Sequence, residues 1–291
     1  MLGKLTALGM ALIVAGGLEA EIRPDVVYGH KDGMALVYDV FLPEQSNGAG
    51  VIYMVSGGWF SVWQNPAERV KGFKPLLDEG FAVFAVTHGS APRFKVPEAV
   101  SDVRAAVRHI RGHAGDYKVE ANRLGVWGGS AGGHLSLMLG LDAEGEPTGA
   151  GGDGGLRTLG ARYVMAADAN AQLAAVVAYY PPVDLRPRVG PSERFPALDF
   201  PKGMAAAISP ILFVSEDDPP TLLIHGDADD LVPLEDSRML EAELSKVGVT
   251  HELIVIQGGD HGFRKPAHRA RANAAMVAWF KRYLVQEQMA D

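Results

Sequence analysis

An α/β fold, built on a mostly parallel central sheet with helices on both faces and an N-terminal β-hairpin, is predicted by three observations. Short apolar runs rich in β-branched residues recur along the chain, as expected of strands buried on both faces. Segments of helical period separate them, so successive strands run parallel through crossover helices. The chain has 291 residues, 47% of them hydrophobic and 21% charged, which suits one large core better than two small ones. A single domain over 21–291 is therefore expected.

The elements follow in order. Asp25 to Tyr28 and Met34 to Leu42 alternate in polarity around the turn Lys31-Asp32-Gly33, the mark of a hairpin. Strands are predicted at Gly50 to Val55, Phe81 to Val86, Leu124 to Trp127, Ala174 to Tyr180, Thr221 to His225 and Glu252 to Ile256. Helices are predicted at Pro66 to Glu79, Pro97 to Arg111, Ala131 to Leu141, Leu234 to Val247 and about Ala267 to Gln286. Two stretches break the alternation. Asp142 to Ala161, rich in glycine and small residues, reads as a surface loop, and Pro181 to Pro220, rich in proline, as an ordered excursion over the sheet.

Charge and composition narrow the function classes. A net charge of −8 without any basic run disfavours nucleic acid as a partner, since phosphate neutralisation needs clustered Lys and Arg. With no cysteine, the chain has no disulfide, no thiolate metal site and no cysteine nucleophile. Lys4, the apolar stretch Leu5 to Gly17 and Leu18-Glu19-Ala20 read as the three regions of a secretory signal over residues 1–20. The expectation is an exported protein, mature from about Glu21 and without a stable membrane span after cleavage, because the apolar run is short for a bilayer. An N-terminal helix packed on the domain is the competing reading.

The chemistry centres on Gly128-Gly129-Ser130-Ala131-Gly132, a G-x-S-x-G sequence that leaves a predicted strand and opens a predicted helix. Such a turn holds the serine in a strained conformation, and small neighbours make room for it. The hydroxyl then stands above the sheet beside a helix N-terminus, where the N–H of Ala131 faces a developing oxyanion. Serine alone is a weak nucleophile, so a base and an orienting carboxylate must follow along the chain. Asp227, Asp229 and Asp230 lie just beyond the strand Thr221 to His225, and His261 follows the last strand within Gly258-Gly259-Asp260-His261-Gly262-Phe263. Spacing alone does not choose among the three aspartates.

Gly128-Gly129-Ser130-Ala131-Gly132-Gly133-His134, the run Asp217-Asp218-Pro219-Pro220 leading to His225-Gly226-Asp227-Ala228-Asp229, and His261-Gly262-Phe263 together resemble the feruloyl/acetyl-esterase and lipase-like α/β hydrolases. The resemblance runs from about Asp25 to the C-terminus. It implies the α/β-hydrolase fold and selects Asp229, the fifth residue of a His-Gly-x-x-Asp pattern, as the acid; Asp227 and Asp230 are left as turn or cap residues. Two segments depart from the family. Val55-Ser56-Gly57-Gly58-Trp59 stands where relatives carry His-Gly-Gly-Gly-Trp, so the histidine that braces the oxyanion loop is missing. Thr87-His88-Gly89-Ser90-Ala91-Pro92 replaces Asn-Tyr-Arg-Leu-Ala-Pro, so the arginine that ties the loop down is missing too.

The expected function is cleavage of carboxylic esters of short-chain acyl, acetyl or feruloyl type, free or carbohydrate-linked, through an acyl-enzyme. Ser130, Asp229 and His261 are the expected triad; Ala131 with Gly57 or Gly58 supplies oxyanion donors, and no cofactor or metal is required. Trp59, Phe60 and Trp63 either wall a substrate pocket or belong to the core. His109 and His113 lack the glutamate of a zinc helix and read as helix-end residues, and His134 reads as packing. Two competing readings are a serine peptidase of prolyl-oligopeptidase type and a secreted binding protein that kept the fold but is catalytically weak.

Overall fold

The structure is a computed structural model, and it describes residues 20–141 and 173–285. The predicted signal segment, all but Ala20, and the predicted loop Asp142 to Ala161 lie outside the described residues.

Among the described residues, eight strands form one sheet: β1 (Glu21–Lys31), β2 (Met34–Leu42), β3 (Gly50–Met54), β4 (Ala82–Val86), β5 (Leu124–Gly129), β6 (Ala175–Tyr179), β7 (Thr221–Gly226) and β8 (His251–Ile256). Their spatial order is β1-β2-β4-β3-β5-β6-β7-β8. The hairpin and the β2–β4 pair are antiparallel, and every pair from β4 to β8 is parallel. β1 is longer than its alternation predicts, because register shifts between Arg23 and Val26 and between Val27 and Gly29 scramble the period of two.

Among the described residues, five helices connect the strands: α1 (Pro66–Leu77), α2 (Val96–Gly112), α3 (Ala131–Gly140), α4 (Leu234–Val247) and α5 (Pro266–Leu284). Local sequence explains several of their ends. Asn65 caps α1 by accepting from the Ala67 N–H, proline occupies the first turn of α1, α2 and α5, and Gly248 ends α4 in the left-handed region. Leu135, Met138 and Leu240 join one core with the inner residues of α2, while Phe73, Leu76, Met276 and Phe280 form a second core on the opposite face. Thus α2, α3 and α4 cover one face and α1 and α5 the other, which is the α/β-hydrolase arrangement.

The excursion from Pro181 to Pro220 is built from four short 3₁₀ turns, at Pro196–Leu198, Lys202–Met204, Ala206–Ile208 and Pro210–Leu212. Its Ile208, Ala197 and Leu198 are buried, so it is an ordered part of the domain. It crosses the carboxyl edge of the parallel strands, the edge at which open α/β sheets assemble their sites. Among the described residues, no helix is long and apolar enough to cross a membrane.

Candidate active site

The strand-to-helix turn at residue 130 is as tight as its glycines imply. Ser130 has φ 55° and ψ −120° as it leaves β5 and caps α3. A Cβ on Gly128 would lie 2.4 Å from the Gly132 backbone, and one on Gly132 would lie 3.0 Å from the Met54 carbonyl, so only glycine lets the turn close. The Ser130 N–H donates to the Tyr179 carbonyl at 2.9 Å, and its own carbonyl accepts from the His134 N–H at 2.9 Å. The hydroxyl is thereby held at the positive end of α3.

A second close approach joins the loops after β7 and β8. A Cβ on Gly226 would sit 2.1 Å from the Gly259 carbonyl oxygen, and the Ala228 N–H donates to that same oxygen at 3.0 Å. Asp227 fastens the crossing by accepting from the Gly258 N–H at 2.6 Å, which is the turn role expected of it. With the loops fixed, His261 lies between Ser130 and Asp229: Nε2 is 2.9 Å from Ser130 Oγ and Nδ1 is 2.7 Å from Asp229 Oδ2. Asp230 makes no such contact and faces solvent.

The tautomer follows from the partners. A carboxylate only accepts, so Nδ1 of His261 carries the proton and Nε2 is left to accept from the serine hydroxyl. Asp229 is heavily supplied with donors. Burial alone would raise its pKa, but hydrogen bonds from His225, His261, Val232 and Leu231 outweigh burial and hold the carboxyl well below the usual carboxylate range. The Leu231 and Val232 amides both reach Oδ1 at 2.9 Å.

His225 is a member of the site that the motif concealed. Its buried ring places Nε2 3.4 Å from Asp229 Oδ2 and 2.9 Å from the Val232 carbonyl, while Nδ1 lies 2.7 Å from Ser237 Oγ. Both neighbours of Nε2 are acceptors, so Nε2 donates and holds the Asp229 loop against α4. Its signal in the sequence is its place as the first residue of the His-Gly-x-x-Asp pattern.

The predicted oxyanion loop needs two corrections. Gly57 forms a two-way bridge with Phe60, each N–H donating to the other's carbonyl at 3.0 Å, so the Gly57 amide is already committed. Gly58 remains: its N–H has no acceptor among the described residues, and Ala131, as the first residue of α3, has none within the helix. Trp59 is the second correction. It is 5% exposed and lies edge-on to His134, with its Nε1–H donating to His134 Nδ1 at 3.4 Å, so it belongs to the core and has no face left for a substrate. Phe60 is half-buried against the same core, and Trp63 is 66% exposed. The ring that does stand over Gly58 is Phe195 from the excursion, whose Cδ1 would meet a Cβ there at 3.2 Å.

The missing loop histidine has a replacement from the neighbouring loop. His88 is buried, its Nδ1 is 2.9 Å from the Gly89 carbonyl and its Nε2 is 2.9 Å from Ser56 Oγ. Since the carbonyl only accepts, Nδ1 donates and Ser56 donates its hydroxyl proton to Nε2. Burial pushes the His88 pKa down, which favours this neutral form. Ser61 adds two links, donating through Oγ to the Val55 carbonyl at 2.8 Å and through its N–H to Ser90 Oγ at 3.0 Å. In place of the missing arginine, Asp102 accepts from the Gly89 N–H at 2.9 Å and pairs with Lys31 at 2.8 Å.

The two helix-end histidines are occupied with each other and with tyrosine: His113 Nδ1 is 2.8 Å from the His109 carbonyl, and His109 Nδ1 is 3.0 Å from the Tyr38 hydroxyl. Among the described residues, no group of three or more His, Asp or Glu is gathered to hold a metal ion.

Comparison with known proteins finds a family and several esterases to which the chain is similar. The BD-FAE family model matches residues 38–244. Esterase LipC of Mycobacterium tuberculosis is 27% identical over 259 residues, 83% of this chain and 60% of the relative. An acetylxylan esterase of Xylanibacter ruminicola is 25% identical over 269 residues, 89% of this chain and 50% of the relative. The chain thus spans between half and three fifths of these curated relatives' length. Among solved structures, a truncated carbohydrate esterase from gut microbiota superposes with a TM-score of 0.72 at 28% identity, covering 94% of this chain and 99% of that one.

Proposed function

The chain belongs to the BD-FAE family, and on that premise we propose that it is a serine hydrolase that cleaves carboxylic esters through an acyl-enzyme. The observation that carries the reading is the unbroken chain of hydrogen bonds from Ser130 Oγ through His261 to Asp229. His261 takes the serine proton as Oγ attacks the ester carbonyl, and Asp229, ionised, stabilises the imidazolium. The amides of Gly58 and Ala131 receive the oxyanion, each contributing about 3 kcal/mol to the transition state. The imidazolium then protonates the departing alcohol, and a water activated by the same histidine releases the acid.

The substrate class we propose is a short acyl ester on a carbohydrate, supported by the similarity of the chain to an acetylxylan esterase and a carbohydrate esterase. The binding-protein reading drew on the altered oxyanion loop, and the Ser56–His88 bond gives that loop a brace of its own. We also propose export, on the strength of Lys4 and the apolar stretch Leu5 to Gly17; sequencing the N-terminus of secreted protein tests it, with Glu21 expected first.

The central test is hydrolysis of p-nitrophenyl acetate by the wild type and by Ser130→Ala. A drop of several orders of magnitude is expected. Equal rates would remove Ser130 from the mechanism.

A further inference from the structure

Strand β6 is followed by a residue that no motif marks. Tyr180 has φ 37°, a conformation that costs a bulky residue free energy and persists only where its surroundings impose it. Its N–H is fixed to the Ile224 carbonyl at 2.9 Å. Its ring lies 4.6 Å from the His261 ring, tilted by 55°, and 5.0 Å edge-on to Phe263. The hydroxyl reaches over Gly129, where a Cβ would stand 2.9 Å from it, so the phenol fills the space that glycine leaves beside Ser130.

Two polar atoms in this corner can donate a hydrogen bond. One is the Tyr180 hydroxyl, which burial keeps protonated by raising its pKa. The other is Trp127 Nε1, which is buried without a hydrogen bond. Trp127 projects from β5 towards α1 and α5, with its ring 4.7 Å from Tyr53 and 5.7 Å from Tyr179. It sits on a middle strand of the sheet and yet, like Tyr53 and Tyr180, is only partly buried. A buried donor left unpaired, as Trp127 Nε1 is, is costly, and a ligand that accepts from it recovers that cost.

Position relative to the reaction says which ligand part this corner serves. His261 must return its proton to the leaving oxygen, so the alcohol portion of the ester lies on the imidazole side, away from Gly58 and Ala131. Tyr180 is the ring in contact with that imidazole. We propose that Tyr180 and Trp127 form the subsite for the alcohol portion of the ester, and that this alcohol is an uncharged ring bearing an oxygen acceptor. Aromatic faces supply the ring with contact area, and the two neutral donors offer hydrogen bonds but no counter-charge. The inference rests on the reading of Ser130 and His261 given above.

A pair of esters that differ by one atom tests it: tetrahydropyran-4-yl acetate and cyclohexyl acetate. Their acyl groups are identical, so effects at the oxyanion amides cancel in the ratio of kcat/KM. Wild type is expected to prefer the oxygen-bearing ring by about fivefold to tenfold, the worth of one hydrogen bond. Tyr180→Phe keeps the ring and removes the donor, and the ratio should fall at least halfway towards one; Trp127→Phe is the second variant, expected to act in the same direction. A wild-type ratio near one, or a ratio unmoved in both variants, overturns the subsite. Labelling of Ser130 by a fluorophosphonate separates the two levels: a labelled enzyme with an unmoved ratio refutes the subsite alone, whereas an unlabelled protein that cleaves neither acetate refutes both readings.

Discussion

Acid should loosen this protein through one buried histidine. His134 is fully buried on α3 and joins two parts of the site, accepting from Trp59 Nε1 through Nδ1 and donating from Nε2 to the Ile208 carbonyl at 2.8 Å. Both partners demand the neutral ring. Burial, only partly offset by the Ile208 bond, pushes its pKa down from 6.5 to about 4. Below pH 6.5 the unfolded chain takes up a proton that the folded ring refuses, so stability falls as pH drops to about 4 and levels off beneath it. A gap of that size corresponds to about 3 kcal/mol, at about 1.4 kcal/mol per unit, as an upper limit. The perturbation is His134→Gln, whose amide can accept from Trp59 and donate to Ile208 without titrating. In urea unfolding, the variant is expected to be about 1 kcal/mol weaker at neutral pH, from imperfect fit. Towards about pH 4.5 that deficit should vanish and reverse as the wild type loses about 2 to 3 kcal/mol more than the variant. Parallel stability curves for the two proteins across this range would refute the assignment of the acid loss to His134.

Three further outcomes are expected. Asp229→Asn puts an amide donor among His261 Nδ1, His225 and two backbone N–H groups, so the imidazole loses its tautomer; kcat for p-nitrophenyl acetate should fall by about 10⁴ while the melting temperature shows that the fold persists. Ser56→Ala and His88→Phe, alone and combined, should each lower kcat about tenfold with little change in KM, and the double variant should match the singles because both break one bond. Asp218, whose pKa burial raises to about 6 against the Ser215 hydrogen bonds, holds its proton when folded at pH values where the unfolded chain has released it, so stability falls as pH rises from about 4 to 6. Asp218→Asn should therefore gain about 1 kcal/mol at pH 8, allowing for partial solvent screening, and nothing near pH 4 in thermal melts at both values.

The succession of strands and helices was legible because it depends on local pattern, and Ser130 and His261 stood out as candidates in the same way, whereas Asp229 was chosen among three aspartates by the family resemblance. Apolar runs mark strands and G-x-S-x-G marks a strand-to-helix turn, but the crossing of Gly226 and Gly259 behind the acid and the histidine shows only in the fold. The oxyanion loop was less legible because its shape is set by a partner loop. Gly57 and Gly58 look equivalent in sequence, and only the bridge to Phe60 spends one amide and spares the other. Trp59 reads equally as a pocket wall or a core residue until His134 is found beneath it. The His88 brace did leave a trace: β3 and β4 run parallel with Met54 beside Val86, so positions 56 and 88 fall two residues beyond that pair. Tyr180 left none, since its role comes from a backbone angle and from the void at Gly129.

Backbone strain gathers where the chemistry does. Of the non-glycine residues with positive φ, Asp25, Asp32 and Lys118 sit in bulges and turns, but Trp59, Ser130, Tyr180 and Phe263 all follow the ends of parallel strands around one rim. Each reverses the chain where helix propensity or extension would carry it past the site, at about 1 to 3 kcal/mol apiece. Each is also locked by something long-range: Trp59 by His134, Ser130 by the Tyr179 carbonyl, Tyr180 by the Ile224 carbonyl, and Phe263 by burial against Tyr179 and Tyr180. The locks come from the sheet and its two cores, so the rim borrows its geometry from the most stable part of the domain. Relieving the strain at one of them, for instance by Phe263→Gly, should therefore loosen His261 two residues away and cost activity, even though glycine suits the backbone angle better. A variant with undiminished kcat would show that the buried ring, and with it this coupling of core to rim, has no part in holding the histidine.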